Sequence, residues 1–196
     1  MKNYIKKTIR RLQFFPTYIL NLFYLKIHDT NYKKMPQING SLQIGGKGAF
    51  IFGEGIIINS SVRFNPVGMT NGTALYSLKN AKLEIGNNVG ISNSLIYARE
   101  KIIIEDGVTI GGGCQILDND FHSLIYERRK EIPDTDIRSK PIIIKKGAFV
   151  GTNSIILKGV SIGERSIVGA GSVVGKDIGD NELWAGNPAK FLKQAN

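Results

Sequence analysis

At 196 residues, 42% hydrophobic and 21% charged, the chain has room for one domain with a core and a short appendage, and its composition excludes wholesale disorder. A single cysteine, Cys114, excludes an intramolecular disulfide and a cysteine-built zinc cluster, and it fits a reducing compartment. The net charge of +10 is concentrated at one end: residues 1–34 hold Lys2, Lys6, Lys7, Arg10, Arg11, Lys26, Lys33 and Lys34 against Asp29 alone, a local +7.

Within that basic segment Leu12 to Leu25 is largely apolar but is interrupted by Pro16, Thr17 and Asn21. The run is shorter than the roughly 20 residues that span a bilayer. A basic flank before a short apolar run also opens secretory signals, yet Lys26, Ile27 and His28 supply no small-residue cleavage site. Residues 1–36 are therefore expected to form a basic amphipathic segment that lies on an anionic membrane surface or packs on the assembled protein. The plain alternative is a helix that only caps the core with a solvated basic face. No recognition helix, zinc finger or aromatic-rich RNA motif accompanies the charge, so nucleic acid is not an expected partner.

From Ile144 an aliphatic residue recurs every sixth position: Ile144, Val150, Ile156, Ile162, Val168, Val174. Four residues after each stands Ala148, Ser154, Val160, Ser166, Ser172 or Ile178, and glycine follows the aliphatic residue at Gly151, Gly163, Gly169 and Gly175. The same register runs through Ile85, Ile91, Tyr97 and, after one extra residue, Ile104, Ile110, Ile116, with Cys114 in the small-residue column as core filler. Weaker matches at Ile44, Phe50, Phe52, Ile58 and Phe64 place the start of the repeat near residue 38. A helix would walk such a column around its surface, and a sandwich would need alternating strands at wider spacing. Short strands joined by tight turns, three to a triangular coil, stack each column inside a β-helix. Gly86, Asn87, Asn88 and Asn153 are suited to the corners. The expected fold is all-β: a parallel β-helix over 37–180, preceded by a helical segment, interrupted by a protruding loop over 117–141 and followed by a tail over 181–196.

The repeat disappears in LDNDFHSLIYERRKEIPDTDIRSKP, a charged loop of a length that is most often functional. It contains His122. Asp118, Asp120 and His122 alternate, so an extended chain would turn all three to one side, where a carboxylate could fix the tautomer of an imidazole acting as general base. The plain alternative is a surface histidine. A metal site would need a further ligand, and none is expected. Ser123 would project to the opposite side without the glycine-rich elbow of a nucleophile.

The hexads, the interrupting loop and the tail GAGSVVGKDIGDNELWAGNPAK together resemble the hexapeptide-repeat acyltransferases, whose β-helix is left-handed. LDNDFHSL followed by SKPIII is most similar to the bacterial enzymes that O-acetylate sugars of lipopolysaccharide, capsule or exopolysaccharide. The resemblance covers about residues 80–193. It implies an acetyl-CoA-dependent O-acetyltransferase, with His122 as base and Asp118 and Asp120 as orienting partners. It further implies acetyl-CoA held near Gly151, Thr152, Ala170, Gly175, Lys176, Pro188, Lys190 and Lys193, and an acceptor sugar near Ser92 and Asn93. Gly and Ala permit close approach of the pantetheine arm, and lysines suit the nucleotide phosphates, although each is equally a solvated surface charge. Relatives carry threonine where Gly175 stands, which removes one hydroxyl contact. Trp184 is expected to pack the tail, with adenine stacking the alternative. A homotrimer with sites between neighbouring coils is implied as well, in the cytoplasm or peripheral at the inner face of the cytoplasmic membrane, with a saccharide acceptor that could be lipid-linked. The rival readings are an acetyltransferase for a small free acceptor (sugar, serine or antibiotic) and a non-catalytic β-helix scaffold.

Overall fold

The computed structural model describes residues 16–68 and 72–195. The basic residues Lys2, Lys6, Lys7, Arg10 and Arg11, and the apolar positions before Pro16, lie outside them. A helix, α1, runs over 16–27, and among the described residues no helix is long and apolar enough to cross a membrane.

The strands then follow coil by coil. The first three are β1 (Asn31–Tyr32), β2 (Gln37–Gly40) and β3 (Gln43–Gly45), followed by β4 (Ala49–Phe52), β5 (Ile57–Ser60) and β6 (Ala74–Ser77). Next come β7 (Lys82–Ile85), β8 (Gly90–Ser92), β9 (Leu95–Ala98), β10 (Lys101–Ile104), β11 (Thr109–Ile110) and β12 (Gln115–Leu117). After a loop containing the short helix α2 (Tyr126–Arg129), the coils resume with β13 (Ile142–Ile144), β14 (Phe149–Val150) and β15 (Ile155–Leu157), then β16 (Ser161–Ile162), β17 (Ile167–Val168) and β18 (Val173–Val174). A hairpin of β19 (Glu182–Gly186) and β20 (Ala189–Gln194) closes the described chain.

Through β18 every third strand pairs in parallel, and β19 then joins β17 in parallel with β20 antiparallel to it, giving three sheets in the orders β1-β4-β7-β10-β13-β16, β2-β5-β8-β11-β14-β17-β19-β20 and β3-β6-β9-β12-β15-β18. This is the triangular prism of a left-handed β-helix, with every inner column stacked on itself. Ile85, Ile104, Ile144 and Ile162 line up in the first sheet, and Ile91, Ile110, Val150 and Val168 in the second. All are at most 1% exposed, and burying each aliphatic side chain is worth about 1.5–3 kcal/mol, so the columns hold the register. Ala148, Ser154, Val160, Ser166, Ser172 and Ile178 are buried too. At the corners the coils touch backbone to backbone: a Cβ on Gly151 would stand 2.6 Å from the amide nitrogen of Ala170, and Asn153 turns with φ +58°.

Two positions differ from the expected register. Ile96, not Tyr97, enters the column of the third sheet opposite Ile116, because a tyrosine hydroxyl inside the dry prism would need a partner. Tyr97 instead faces outward and stacks on Tyr76 at 5.4 Å between ring centroids. Phe64 sits in a turn of an excursion between β5 and β6, and Leu75 fills the buried place after it.

Candidate functional site

The larger excursion carries His122. Ile144 pairs with Ile162, 18 positions on, but Ile104 pairs with Ile144, 40 positions on, so the extra length is looped out between β12 and β13. An antiparallel bridge between Asn119 and Ser139 closes its base, with Lys140 N–H donating to the Asp118 carbonyl at 2.9 Å. Asp120 N–H donates to the Arg138 carbonyl at 3.1 Å. Farther out, Ser123 N–H donates to Asp134 Oδ2 (2.8 Å), Ser123 Oγ–H to Asp136 Oδ2 (3.1 Å), and the Arg129 guanidinium to the Ser123 carbonyl (2.9 Å). Ser123 is 1% exposed and organises the loop, so it does not present a nucleophile.

The extended alternation expected for Asp118, Asp120 and His122 does not form, because Phe121 takes φ +60° and packs its ring on Tyr97 at 4.9 Å. The three side chains part company there. Asp118 is wholly buried: Oδ1 accepts the Arg99 N–H (2.7 Å), and Oδ2 those of Glu100 (2.8 Å) and Lys101 (2.9 Å), so it ties its own corner to the one below. Asp120 is paired with the Lys158 ammonium of the next coil. His122 instead points Nδ1 at Asp134 Oδ2, 3.4 Å away, and its side chain is 70% exposed. The Asp134 carboxylate therefore stands nearer the imidazole than either Asp118 or Asp120 does, and the ring is open to solvent. Asp134 was missed in the sequence because it lies twelve positions from His122 with no periodic relation to it.

The expected cofactor residues fall into two neighbourhoods. Gly151, Thr152 and Ala170 stack on successive coils at the corner between the second and third sheets, with Gly171 N–H donating to the Thr152 carbonyl at 2.8 Å. Gly186 N–H donates to Ser172 Oγ at 3.1 Å, bringing the hairpin turn with Pro188 beside that corner, and Lys190 and Lys193 stand exposed on β20. Gly175 and Lys176 follow β18 at the opposite edge of the third sheet, both exposed. A Cβ on Gly175 would meet nothing nearer than Leu157 Cδ1 at 3.6 Å, so packing does not require glycine there. Trp184 pairs with Val168, lies partly buried on the core and donates its Nε1–H to Glu182 at 2.8 Å, as a packing residue does.

Ser92 and Asn93 lie farther along the same corner as Gly151, and both are buried and hydrogen-bonded within the chain: Asn59 Nδ2 donates to Ser92 Oγ (3.3 Å), and Asn93, 0% exposed, donates from Nδ2 to the Asn65 carbonyl (2.6 Å). His122, by contrast, springs from the other edge of the third sheet, beyond β12. Within one chain the His122 loop and the corner of Gly151 and Ala170 therefore stand on opposite edges of one sheet. Among the described residues no group of three or more His, Cys, Asp or Glu side chains is placed to hold a metal ion.

Residues 141–176 match the family model for the bacterial transferase hexapeptide (six repeats). The chain is 47% identical over 49 residues to the dTDP-3-amino-3,6-dideoxy-alpha-D-galactopyranose 3-N-acetyltransferase of Aneurinibacillus thermoaerophilus, a stretch that covers 25% of this chain and 26% of that one. It is 35% identical over 118 residues to the galactoside O-acetyltransferase of Escherichia coli, covering 57% and 56%. A solved structure of a hexapeptide-repeat acetyltransferase of Vibrio cholerae, complexed with acetyl coenzyme A, superposes with a TM-score of 0.56 at 33% identity, over 63% of this chain and 65% of that one. The chain thus spans between a quarter and two thirds of the length of these relatives. With the six-residue repeat inside a three-sheet prism, the chain is similar to hexapeptide-repeat transferases, and residues 141–176 match their family model.

Proposed function

We propose that this protein is an acetyl-CoA-dependent O-acetyltransferase acting on a sugar hydroxyl, in the building of a surface polysaccharide. The observation that carries the reading is the exposed His122 imidazole on the loop that interrupts the coils, its Nδ1 3.4 Å from Asp134 Oδ2. His122 Nε2 takes the proton of the sugar hydroxyl as that oxygen bonds to the thioester carbonyl carbon. When the carbon–sulfur bond breaks, the imidazolium returns its proton to the departing coenzyme A sulfur. No acyl-enzyme is needed. General-base help supplies about 10² to 10⁴ in rate, and alignment of the substrates with a backbone N–H at the developing oxyanion supplies the rest.

The corner of Gly151, Thr152 and Ala170 fits a pantetheine arm, having little side chain to block close approach, and Lys176, Lys190 and Lys193 are exposed cations suited to phosphates. Because His122 and that corner occupy opposite edges of one sheet, a neighbouring copy would complete the site, which supports a homotrimer with the base of one protomer facing the cofactor groove of the next. Asp118 and Asp120 then act through the loop's shape rather than on the imidazole.

Thiol release from acetyl-CoA with a panel of saccharides tests the reading. Turnover with hydroxyl acceptors that His122→Ala abolishes supports it; no thiol release with any saccharide sinks it and favours a scaffold. A second reading, transfer to a sugar amine, is favoured by the 47% identity to an amino-sugar N-acetyltransferase. Amino sugars in the same panel separate the two, and free serine and antibiotics test the small-acceptor alternative.

A further inference from the structure

Helix α1 has two apolar faces, and the fold uses only one. Asn21 and Leu25 lie against the first coil: Asn21 Nδ2 donates to the Gly40 carbonyl (2.9 Å), its Oδ1 accepts the Leu42 N–H (2.9 Å), and Leu25 is 0% exposed. At about 100° per residue, Ile19, Phe23 and Ile27 fall on the pole opposite that pair. They are 48%, 57% and 56% exposed. A surface helix puts polar side chains there. Here three large apolar groups, four residues apart, form a stripe turned away from the open end of the prism.

The charge around the stripe identifies what covers it. Lys26, Lys33 and Lys34 are exposed, and residues 1–34 carry a local +7. A second copy brought against this face would bring its own Lys26, Lys33 and Lys34 with it, and residues 16–34 hold Asp29 alone to offset them. We infer that α1 docks on the surface of an anionic lipid bilayer, with Ile19, Phe23 and Ile27 sunk at the headgroup boundary and the lysines over acidic lipids. The helix lies in the interface without crossing it.

This docking gives the proposed reaction a place. The third sheet runs β3-β6-β9-β12, so the His122 loop leaves the prism three strand spacings, about 14 Å, beyond the coil that α1 covers. A base at that height meets sugars within a few units of a membrane anchor, which points to a lipid-linked saccharide as acceptor. This last step rests on the O-acetyltransferase reading, whereas the docking does not.

The full chain is sedimented with vesicles of phosphatidylcholine alone and of phosphatidylcholine with about 30% phosphatidylglycerol. Binding to the anionic vesicles only, weakened by salt, is expected. Phe23→Ser with Ile27→Ser, at exposed positions, should lower the partition about tenfold or more without changing charge, circular dichroism or oligomeric state. Wild-type protein left in the supernatant, or equal binding by the double variant, overturns the proposal. Loss of the oligomer in the double variant would make the stripe a contact between copies and overturn it too. Acetyl transfer to a free saccharide without vesicles, measured on both proteins, separates failure of docking from failure of the enzymatic reading.

Discussion

His122 Nδ1 faces Asp134 Oδ2 at 3.4 Å across the neck of one loop, and the same carboxylate oxygen accepts the N–H of Ser123 at 2.8 Å. One oxygen thus accepts a backbone N–H and stands close to the imidazole beside it. His122→Ala is expected to lower turnover by about 10²- to 10⁴-fold while leaving acetyl-CoA affinity and thermal stability nearly unchanged, since the ring is mostly exposed. Asp134→Asn, which keeps a carbonyl oxygen for Ser123, should cost about tenfold or more but less than loss of the base. Steady-state kinetics with coenzyme A binding by calorimetry tests both, and wild-type turnover by His122→Ala would refute the assignment.

Asp118 should behave in the opposite way. Its carboxylate is the shared acceptor of three backbone N–H groups in a fully buried corner, and hydrogen bonds to a charged group are worth about 1.5–3 kcal/mol each. Asp118→Ala is expected to destabilise the fold by about 3 kcal/mol or more, read as a fall in denaturation midpoint. Normal stability with abolished turnover would return Asp118 to a direct part in the chemistry.

Cys114 is core filler in its folded setting. Burial pushes its thiol pKa up, outweighing hydrogen bonds with the Ser154 backbone, the Ser94 side chain and the Asn153 backbone. The folded thiol keeps its proton where an unfolded one has lost it, so this group's contribution to stability falls as pH rises through the unfolded thiol range. A disulfide reagent at neutral pH should label native protein far more slowly than denatured protein. Equal rates would mean that the site opens readily.

Asp106 is held below the usual carboxylate range, first by the Asn87 backbone N–H at 2.6 Å, then by the Asn87 side-chain amide, with Lys146 adding a little. A depressed folded pKa contributes stability that is present above the unfolded carboxylate value and lost as pH falls through the folded one. Asp106 stands at the surface and its partners are solvent-screened, so the effect is small. Acid denaturation of Asp106→Asn should show a flatter limb below about pH 4, and an unchanged limb would discount the interaction.

The prism was legible in the sequence because its cause is local and repeated: an aliphatic residue every six positions, a small one four later, and a turn between. Each of those columns from Ile144 to Ile178 is buried. The register slipped only where the chain departs from six, at Ile96 and Tyr97 and at Phe64, since a period cannot say which of two neighbours turns inward once a residue is added. His122 stood out as the histidine of the long interruption.

What surrounds His122 was decided by tertiary structure. Asp118 finds its donors 17 to 19 residues back, one coil below, and Asp120 finds Lys158 in the coil above, so neither partner exists until the coils stack. The positive φ of Phe121, held by an aromatic contact to Tyr97, parts three side chains that alternation would have aligned. The sequence by itself determined the prism, its interruption and a helical segment at its head. Which carboxylate meets the imidazole, and which face of α1 is left bare, followed only from packing, because both depend on contacts between segments with no fixed spacing along the chain.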